Sequence, residues 1–178
     1  DGKVAADGKE AKALSTLYKS DRALLRARAV AGLEAMKKQP QVAPGQVAAI
    51  GYCFGGTAVL ELARSGADLG GVVSFHGGLD TPAPQDAKNI RAKVLALHGA
   101  DDPYVSTEQV AAFEREMREA GTDWQLIAYG GAVHGFTNPA HGNDNSKGVA
   151  YNASADARSW TAMRQFFAEL FGPAKTSP

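Results

Sequence analysis

The only cysteine of this 178-residue chain stands in a glycine-rich turn, where its thiol could act as a nucleophile. The residue is Cys53, and the pattern Gly51-Tyr52-Cys53-Phe54-Gly55 has the form G-x-S-x-G with sulfur in place of oxygen. This pattern is typical of a sharp, strained turn between a strand and a helix, which predicts that both Gly51 and Gly55 must lack side chains. The N-terminal amides of the following helix would favour the thiolate, and the amide of Phe54 would donate to an oxyanion.

Other interpretations of this cysteine exist. A free cysteine is more commonly a small buried hydrophobe, although glycines on both sides after an apolar run favour the nucleophile. A phosphate-binding loop is a weaker alternative, because "GYCFGGT" lacks the Lys-Ser/Thr pair of a P-loop and the third glycine of a dinucleotide-binding turn.

A thiol nucleophile needs a base, and the base needs a group that orients it. The stretch "HGADDPYVS" offers Asp101 and Asp102, and the later stretch "GGAVHGFTN" offers His134. The order nucleophile, Asp, His along the chain is the order found in α/β-hydrolases. We expect Asp102 to face His134 and Asp101 to cap the turn.

The remaining histidines are expected to lie outside the chemistry. His76 and His98 stand close to apolar runs, so we expect structural roles for both, in packing or in bonds to loop carbonyls. His141 stands in a polar stretch and is expected to be solvated.

The elements that must position these residues form an alternating pattern. Four short apolar runs predict strands, at 47–52, 71–77, 93–99 and 124–130. Helical spacing or helix-ending signals predict helices at 9–18, at 21–38, from Cys53 to Gly66, from Ser106 to Gly121 and from about 153 to Gly172. Continuous apolar strands that alternate with helices predict a parallel sheet with helices on both faces, whose strand ends hold the ligand.

Composition indicates which kinds of partner and which cellular compartment to expect. Nineteen basic and nineteen acidic residues exclude the strongly basic surface of a nucleic-acid or anionic-membrane binder, so a small-molecule partner is expected. The positive excess of the first 40 residues, which includes Lys19, Arg22 and Arg26, is interpreted as a solvated helix face. A single cysteine forms no internal disulfide or multi-thiolate metal site, which favours the cytoplasm. The length predicts one domain over 1–178.

Three motifs together resemble the dienelactone hydrolase family. They are "GYCFGG", "LHGADDPYV" and "GGAVHGFTNP", in that order, and the resemblance covers about residues 45–171. It implies an α/β-hydrolase fold, hydrolysis of lactones or carboxylic esters, no cofactor, and Cys53, Asp102 and His134 as nucleophile, acid and base. The acyl intermediate would be a thioester at Cys53. Phe75, Tyr104 and Phe136 are expected to line the substrate pocket.

The chain departs from the family at two points. Members that cleave dienelactone carry an arginine four residues after the histidine, where this chain has Asn138, so dienelactone itself is not the expected substrate. The four predicted strands are fewer than the family's sheet contains, and the chain resembles roughly the last two-thirds of a member. We therefore expect a fragment, or a sheet completed by another polypeptide or a swapped copy, with the second oxyanion donor absent.

Two further classes stay open on the sequence. One is an inactive or partner-completed binding module that keeps the fold without turnover. The other is a redox-responsive thiol protein, because an exposed cysteine of low pKa oxidises readily.

Overall fold

The computed structural model describes residues 4–43 and 45–172. The predicted helices and strands are all present, with small shifts at their ends. In chain order they are α1 (Gly8–Ser20), α2 (Arg22–Lys37), β1 (Ala48–Tyr52), α3 (Phe54–Arg64), β2 (Gly71–Phe75), β3 (Lys93–Gly99), α4 (Thr107–Ala120), β4 (Trp124–Tyr129) and α5 (Ala153–Phe171). The one domain predicted over 1–178 also includes positions 1–3, 44 and 173–178, which lie outside the described residues.

The four strands form a parallel sheet in the order β1-β2-β3-β4, which confirms the predicted architecture. Because all four strands run the same way, their carboxyl ends lie along one edge of the sheet. The residues that follow β1, β3 and β4 are therefore neighbours in space, although more than 30 residues separate each from the next along the chain.

Helices cover both faces of this sheet. On one face Val72 and Val94 pack with residues of α3 and α4, and on the other Val73 and Leu95 pack with residues of α5. All four valine and leucine side chains are fully buried, as expected for strands of a parallel sheet covered on both sides. Within the described residues, no helix is both long and apolar enough to cross a membrane.

The ends of α4 follow the predicted signals. Ser106 and Gln109 form a reciprocal capping box, and Gly121 ends the helix in the left-handed conformation.

Two arginines of the predicted basic face are not solvated, whereas Lys12, Lys19 and Arg28 are exposed as predicted. Arg22 is buried and pairs with Asp80, while Arg26 binds both Glu61 and Asp86. Since each acidic partner lies at least 35 residues after its arginine, local charge counting could not find them. The arginines instead fasten α2 to α3 and to the loop after β2.

Strand β1 lies at an edge of the described sheet, where it pairs with β2 alone. Ile50 and Tyr52 on this strand are each 43% exposed, an unusual exposure for large apolar side chains beside a buried sheet. The strand that precedes Cys53 therefore has a free side, as the sequence predicts.

Candidate active site

Cys53 occupies a strained turn between β1 and α3. Its backbone has a φ of 54° and a ψ of −119°, a conformation that is costly for a residue other than glycine. The Cys53 N–H donates to the carbonyl of Phe75 at 3.0 Å, and the carbonyl of Cys53 accepts from Gly56 and Thr57 in the first turn of α3. The side chain is exposed, so the thiol projects from the turn.

The structure confirms the predicted steric requirement for glycine at Gly51 but not at Gly55. A Cβ at Gly51 would lie 1.9 Å from the carbonyl oxygen of Gly55, which forbids any side chain there. Gly55 itself has open space in its Cβ direction. The second required glycine is Gly56, whose Cβ would lie 2.6 Å from Ser74 Oγ and 2.8 Å from Gly77 Cα. Close packing of α3 against the end of β2 imposes this requirement.

The structure brings Cys53, His134 and Asp102 into one hydrogen-bonded line. His134 Nε2 lies 3.0 Å from Cys53 Sγ, and His134 Nδ1 lies 2.9 Å from Asp102 Oδ2. Asp102 is 5% exposed, and its other oxygen accepts from the Tyr104 N–H at 2.8 Å. The buried carboxylate is thus fixed on both oxygens, and it fixes the imidazole in turn.

Asp101 fastens the loop that carries the histidine. Its Oδ2 accepts from the Gly131 N–H at 2.9 Å, and its own N–H donates to the Ala132 carbonyl at 3.0 Å. As predicted, Asp102 and not Asp101 faces His134. Asp101 does not cap its own turn as predicted, because it joins the loop after β3 to the loop after β4.

The charges of the cysteine and histidine support each other. The hydrogen bond from His134 lowers the pKa of Cys53 against the opposing effect of burial, and the Phe54 N–H and the charge of Lys19 lower it further. Burial lowers the pKa of His134, but the bonds to Asp102 and Cys53 outweigh it and raise the pKa to about 9. The two shifts together favour a thiolate beside an imidazolium over the neutral pair.

His76 lies inside this site. Its Nδ1 is 3.2 Å from the Cys53 backbone nitrogen and its Nε2 is 2.8 Å from Thr137 Oγ1. Burial, and then the charge of His134, lower the pKa of His76 to about 4, so the ring is neutral at ordinary pH. The predicted structural role understates these contacts, which involve an amide N–H and a hydroxyl and no loop carbonyl.

His98 is buried at the end of β3, consistent with the structural role expected for it.

His141 is not simply solvated. Its Nδ1 donates to the Gly135 carbonyl at 3.1 Å, and its Nε2 accepts from the Asn138 amide at 3.2 Å. Both side chains line a cleft of about 400 Å³ that also contains Tyr52, Cys53 and Thr137. The position at which dienelactone-cleaving members have arginine thus presents a neutral amide to this cleft.

A second cleft, of about 300 Å³, is also lined by Cys53 and His134. Ser15 and Lys19 of α1 line it together with Phe54, Gly78 and Tyr104. Tyr104 therefore lies where a substrate-lining residue is expected, with its ring edge-on to His134 at 5.4 Å.

Phe75 and Phe136 do not line either cleft, contrary to the prediction. Phe75 is 1% exposed and Phe136 is fully buried, because both point into the apolar layer between the sheet and α5. Phe75 instead supports the cleft from below by stacking on Tyr52 at 4.5 Å.

Sequence reasoning missed Tyr52, Thr137 and Lys19 as residues of the site. The first two stand inside the motifs around Cys53 and His134, so their proximity to the chemistry could have been noted. Lys19 had no such signal, because it lies on a helix 34 positions before Cys53. Within residues 4–43 and 45–172, no three His, Cys, Asp or Glu side chains converge as a metal site.

The fold and this arrangement define an α/β-hydrolase, and comparisons with known proteins identify the family. The chain belongs to the dienelactone hydrolase family, which it matches over residues 2–171. Membership of this family assigns it to the hydrolases of lactones and esters.

Two relatives and one solved structure show how far the similarity extends. An uncharacterized protein of Caenorhabditis elegans is 38% identical over 83% of this chain and 94% of its own length. A Synechocystis protein named as a carboxymethylenebutenolidase is 31% identical over 72% of this chain, which spans only 52% of that relative. The crystal structure of a dienelactone hydrolase-like promiscuous phosphotriesterase from metagenomic libraries is 48% identical, with a TM-score of 0.86 over 93% of this chain and 70% of that one.

Proposed function

We propose that this chain hydrolyses carboxylic esters or lactones with Cys53 as nucleophile, through a thioester acyl-enzyme. The observation that carries the proposal is the position of His134, whose two ring nitrogens lie 3.0 Å from Cys53 Sγ and 2.9 Å from Asp102 Oδ2. Nε2 of this imidazole can then exchange a proton with the reacting groups at Cys53, while the Asp102 carboxylate holds the ring in place through Nδ1.

In the first half-reaction the Cys53 thiolate attacks the carbonyl carbon, and a carbon–sulfur bond forms. The carbonyl electron pair moves to the oxygen, where the Phe54 N–H donates to the resulting oxyanion. When this adduct collapses, the carbon–oxygen bond of the leaving group breaks and His134 Nε2 gives its proton to that oxygen. The products are the free alcohol, or the opened end of a lactone, and a thioester at Cys53.

In the second half-reaction water attacks the thioester. His134 is now neutral and takes a proton from the water, the carbon–sulfur bond breaks, and the acid leaves. Acylation removes the thiolate, which is one of the two groups that raise the pKa of His134, so that pKa falls and the imidazole stays in the neutral form that can accept a proton from water.

Esters suit this chemistry better than amides. Because a thiolate leaves more readily than an amine anion, an adduct formed from an amide tends to return to the starting amide. Aryl and enol esters, including unsaturated lactones, have oxygen leaving groups that avoid this return. The substrate class proposed is therefore an activated ester or lactone small enough for the two clefts beside Cys53.

The test combines labelling with turnover. Iodoacetamide is expected to label Cys53 stoichiometrically and to abolish aryl-acetate hydrolysis, and Cys53→Ala is expected to be inactive. Intact-mass measurement during turnover of an acetate ester should detect an acetyl adduct in the wild type and none in Cys53→Ala. His134→Ala should hydrolyse the ester at least about 10²-fold more slowly. Unchanged hydrolysis in Cys53→Ala would contradict the proposal.

A redox-responsive thiol is the second candidate function, favoured by the exposure and lowered pKa of Cys53. Reversible oxidation of the thiol by peroxide, together with absence of hydrolysis of any ester or lactone, would support this function over the first.

A further inference from the structure

We propose that His76 is a positioning residue of this reaction: it holds the backbone of Cys53 through Nδ1 and the loop of His134 through Nε2, and so keeps thiol and base aligned. The inference rests on the proposed function, because it concerns the alignment of the same nucleophile and base.

The two hydrogen bonds determine which ring nitrogen carries the proton. A backbone N–H can only donate, so His76 Nδ1, 3.2 Å from the Cys53 nitrogen, must be the unprotonated acceptor. The proton is then on Nε2, which donates to Thr137 Oγ1 at 2.8 Å. The neutral ring therefore bridges the residue at the turn and a residue three positions after His134.

The Cys53 N–H is shared between two acceptors. It also donates to the Phe75 carbonyl at 3.0 Å, as a continuation of the β1–β2 ladder. Because Phe75 and His76 are adjacent, the end of β2 holds this amide from two directions. A residue with a φ of 54° needs such support, since the surrounding structure must maintain its strained conformation.

His76 is itself strained and enclosed. Its φ is 39°, it is 4% exposed, and its ring lies edge-on to Phe136 at 5.1 Å and to His134 at 5.4 Å. Both nitrogens are used, and each contacts an element that carries one reacting group.

Neutrality is part of the role. The groups around the ring are Cys53, Thr137, Phe136 and Tyr52, with His134, Asp102 and His141 within electrostatic range. A protonated His76 would lose its acceptor for the Cys53 amide and would place a second cation beside the His134 imidazolium.

The decisive comparison is His76→Leu against His76→Asn. Leucine removes both hydrogen bonds, and kcat is expected to fall about 10²-fold with KM little changed, because a displacement of about 1 Å in a reacting group costs that much. Asparagine tolerates a positive φ and places Oδ1 where it can accept from the Cys53 N–H, so it should restore kcat to within about tenfold of wild type. Thr137→Val, which removes only the Nε2 partner, should give an intermediate kcat.

The control is His98→Leu. His98 is a buried histidine at the end of the neighbouring strand β3, and its Nδ1 has no hydrogen-bond partner among the described residues. This variant places the same aliphatic side chain at a neighbouring buried histidine, and its kcat should stay within about threefold of wild type. Activities are expressed per titratable thiol, well below the melting temperature, so that loss of folded protein does not enter kcat.

A second readout needs no turnover. The rate of Cys53 alkylation by iodoacetamide at pH 7 should fall in His76→Leu and recover in His76→Asn, because the thiolate depends on its alignment with His134. A His76→Leu variant with wild-type kcat and alkylation rate would overturn the inference, as would equal losses in the Leu and Asn variants. If His76→Leu does not fold, wild-type kcat and alkylation in Thr137→Val would overturn it. Failure of the proposed function appears separately, as hydrolysis that survives in Cys53→Ala.

Discussion

Replacing Asp102 by asparagine removes the carboxylate that stabilises the His134 imidazolium while it preserves the size of the side chain. Asparagine Oδ1 can still accept from the Tyr104 N–H, so the loop after β3 should keep its conformation. What changes is the charge 2.9 Å from His134 Nδ1. Burial, which lowers the pKa of His134, then acts against the bond to Cys53 alone.

The magnitude follows from the pKa of His134. A rise from 6.5 to about 9 corresponds to about 3 kcal/mol of preference for the charged form, or a factor of about 10² at fixed pH. Because Asp102 is one of the two groups that provide this preference, we expect kcat/KM at pH 7 to fall by about 10²-fold once the orienting effect of the carboxylate is also lost.

The pH dependence has a definite sign. A raised pKa means that folding stabilises the charged histidine, and this stabilisation is complete below pH 6.5 and lost as pH rises through about 9. In Asp102→Asn the alkaline limb of kcat/KM should move down from about pH 9. The acid limb should move up, since the hydrogen bond from charged His134 is the main cause of the lowered pKa of Cys53.

The assay is the pH profile of aryl-acetate hydrolysis and of Cys53 alkylation between about pH 4 and 10, the range that spans both groups. Asp101→Asn is the matched control, because Asp101 binds the Gly131 N–H and does not contact His134. That variant should keep the wild-type profile. An alkaline limb that stays near pH 9 in Asp102→Asn, with hydrolysis as fast as in wild type, would refute the electrostatic reasoning.

Three further predictions concern the turn, the second cleft and the free edge. In chemical denaturation, Gly51→Ala should lower the free energy of unfolding by about 3 kcal/mol, because its Cβ meets the Gly55 carbonyl. Gly55→Ala places its Cβ in open space and should change that free energy by less than about 0.5 kcal/mol. Equal effects of the two substitutions would contradict the steric argument. Lys19→Gln should slow Cys53 alkylation at acid pH by about twofold, and Lys12→Gln on the same helix should not; identical rates in both would exclude an electrostatic effect of Lys19. We expect a second chain or a swapped copy to cover the free side of β1. Light scattering should then detect an assembly larger than 18.6 kDa, and a monomer active on esters would disprove this expectation.

Apolar runs and helix signals predict the fold of this chain well because they are local. Valines and leucines mark β2 and β3 as strands buried on both faces. Ser106, Gln109 and Gly121 mark the ends of α4 through contacts within a few residues. Once the strands are known to be parallel, the carboxyl ends that carry Cys53, Asp102 and His134 must share one edge.

Errors arose where the outcome depended on packing between distant segments. The strand pattern alone does not show that Phe75 points toward α5 and away from the cleft. The sequence of α2 predicts a solvated basic face, but in the folded chain Glu61 of α3 pairs with Arg26. The requirement for glycine at position 56 arises from the approach of Ser74 and Gly77, which follow it by about 20 residues.

Local patterns therefore establish which residues can do chemistry here, the order in which they occur and the elements that carry them. Tertiary structure decides the distances and charges. It brings His134, 81 positions after Cys53, to 3.0 Å from the thiol. It also raises the pKa of His134 and lowers the pKa of His76, although the local sequence does not distinguish the two rings in this respect. The physical reason is that conformational preference acts over a few residues of chain. Burial, hydrogen-bond partners and the local electric field depend on neighbours in space, which exist only after the sheet has formed.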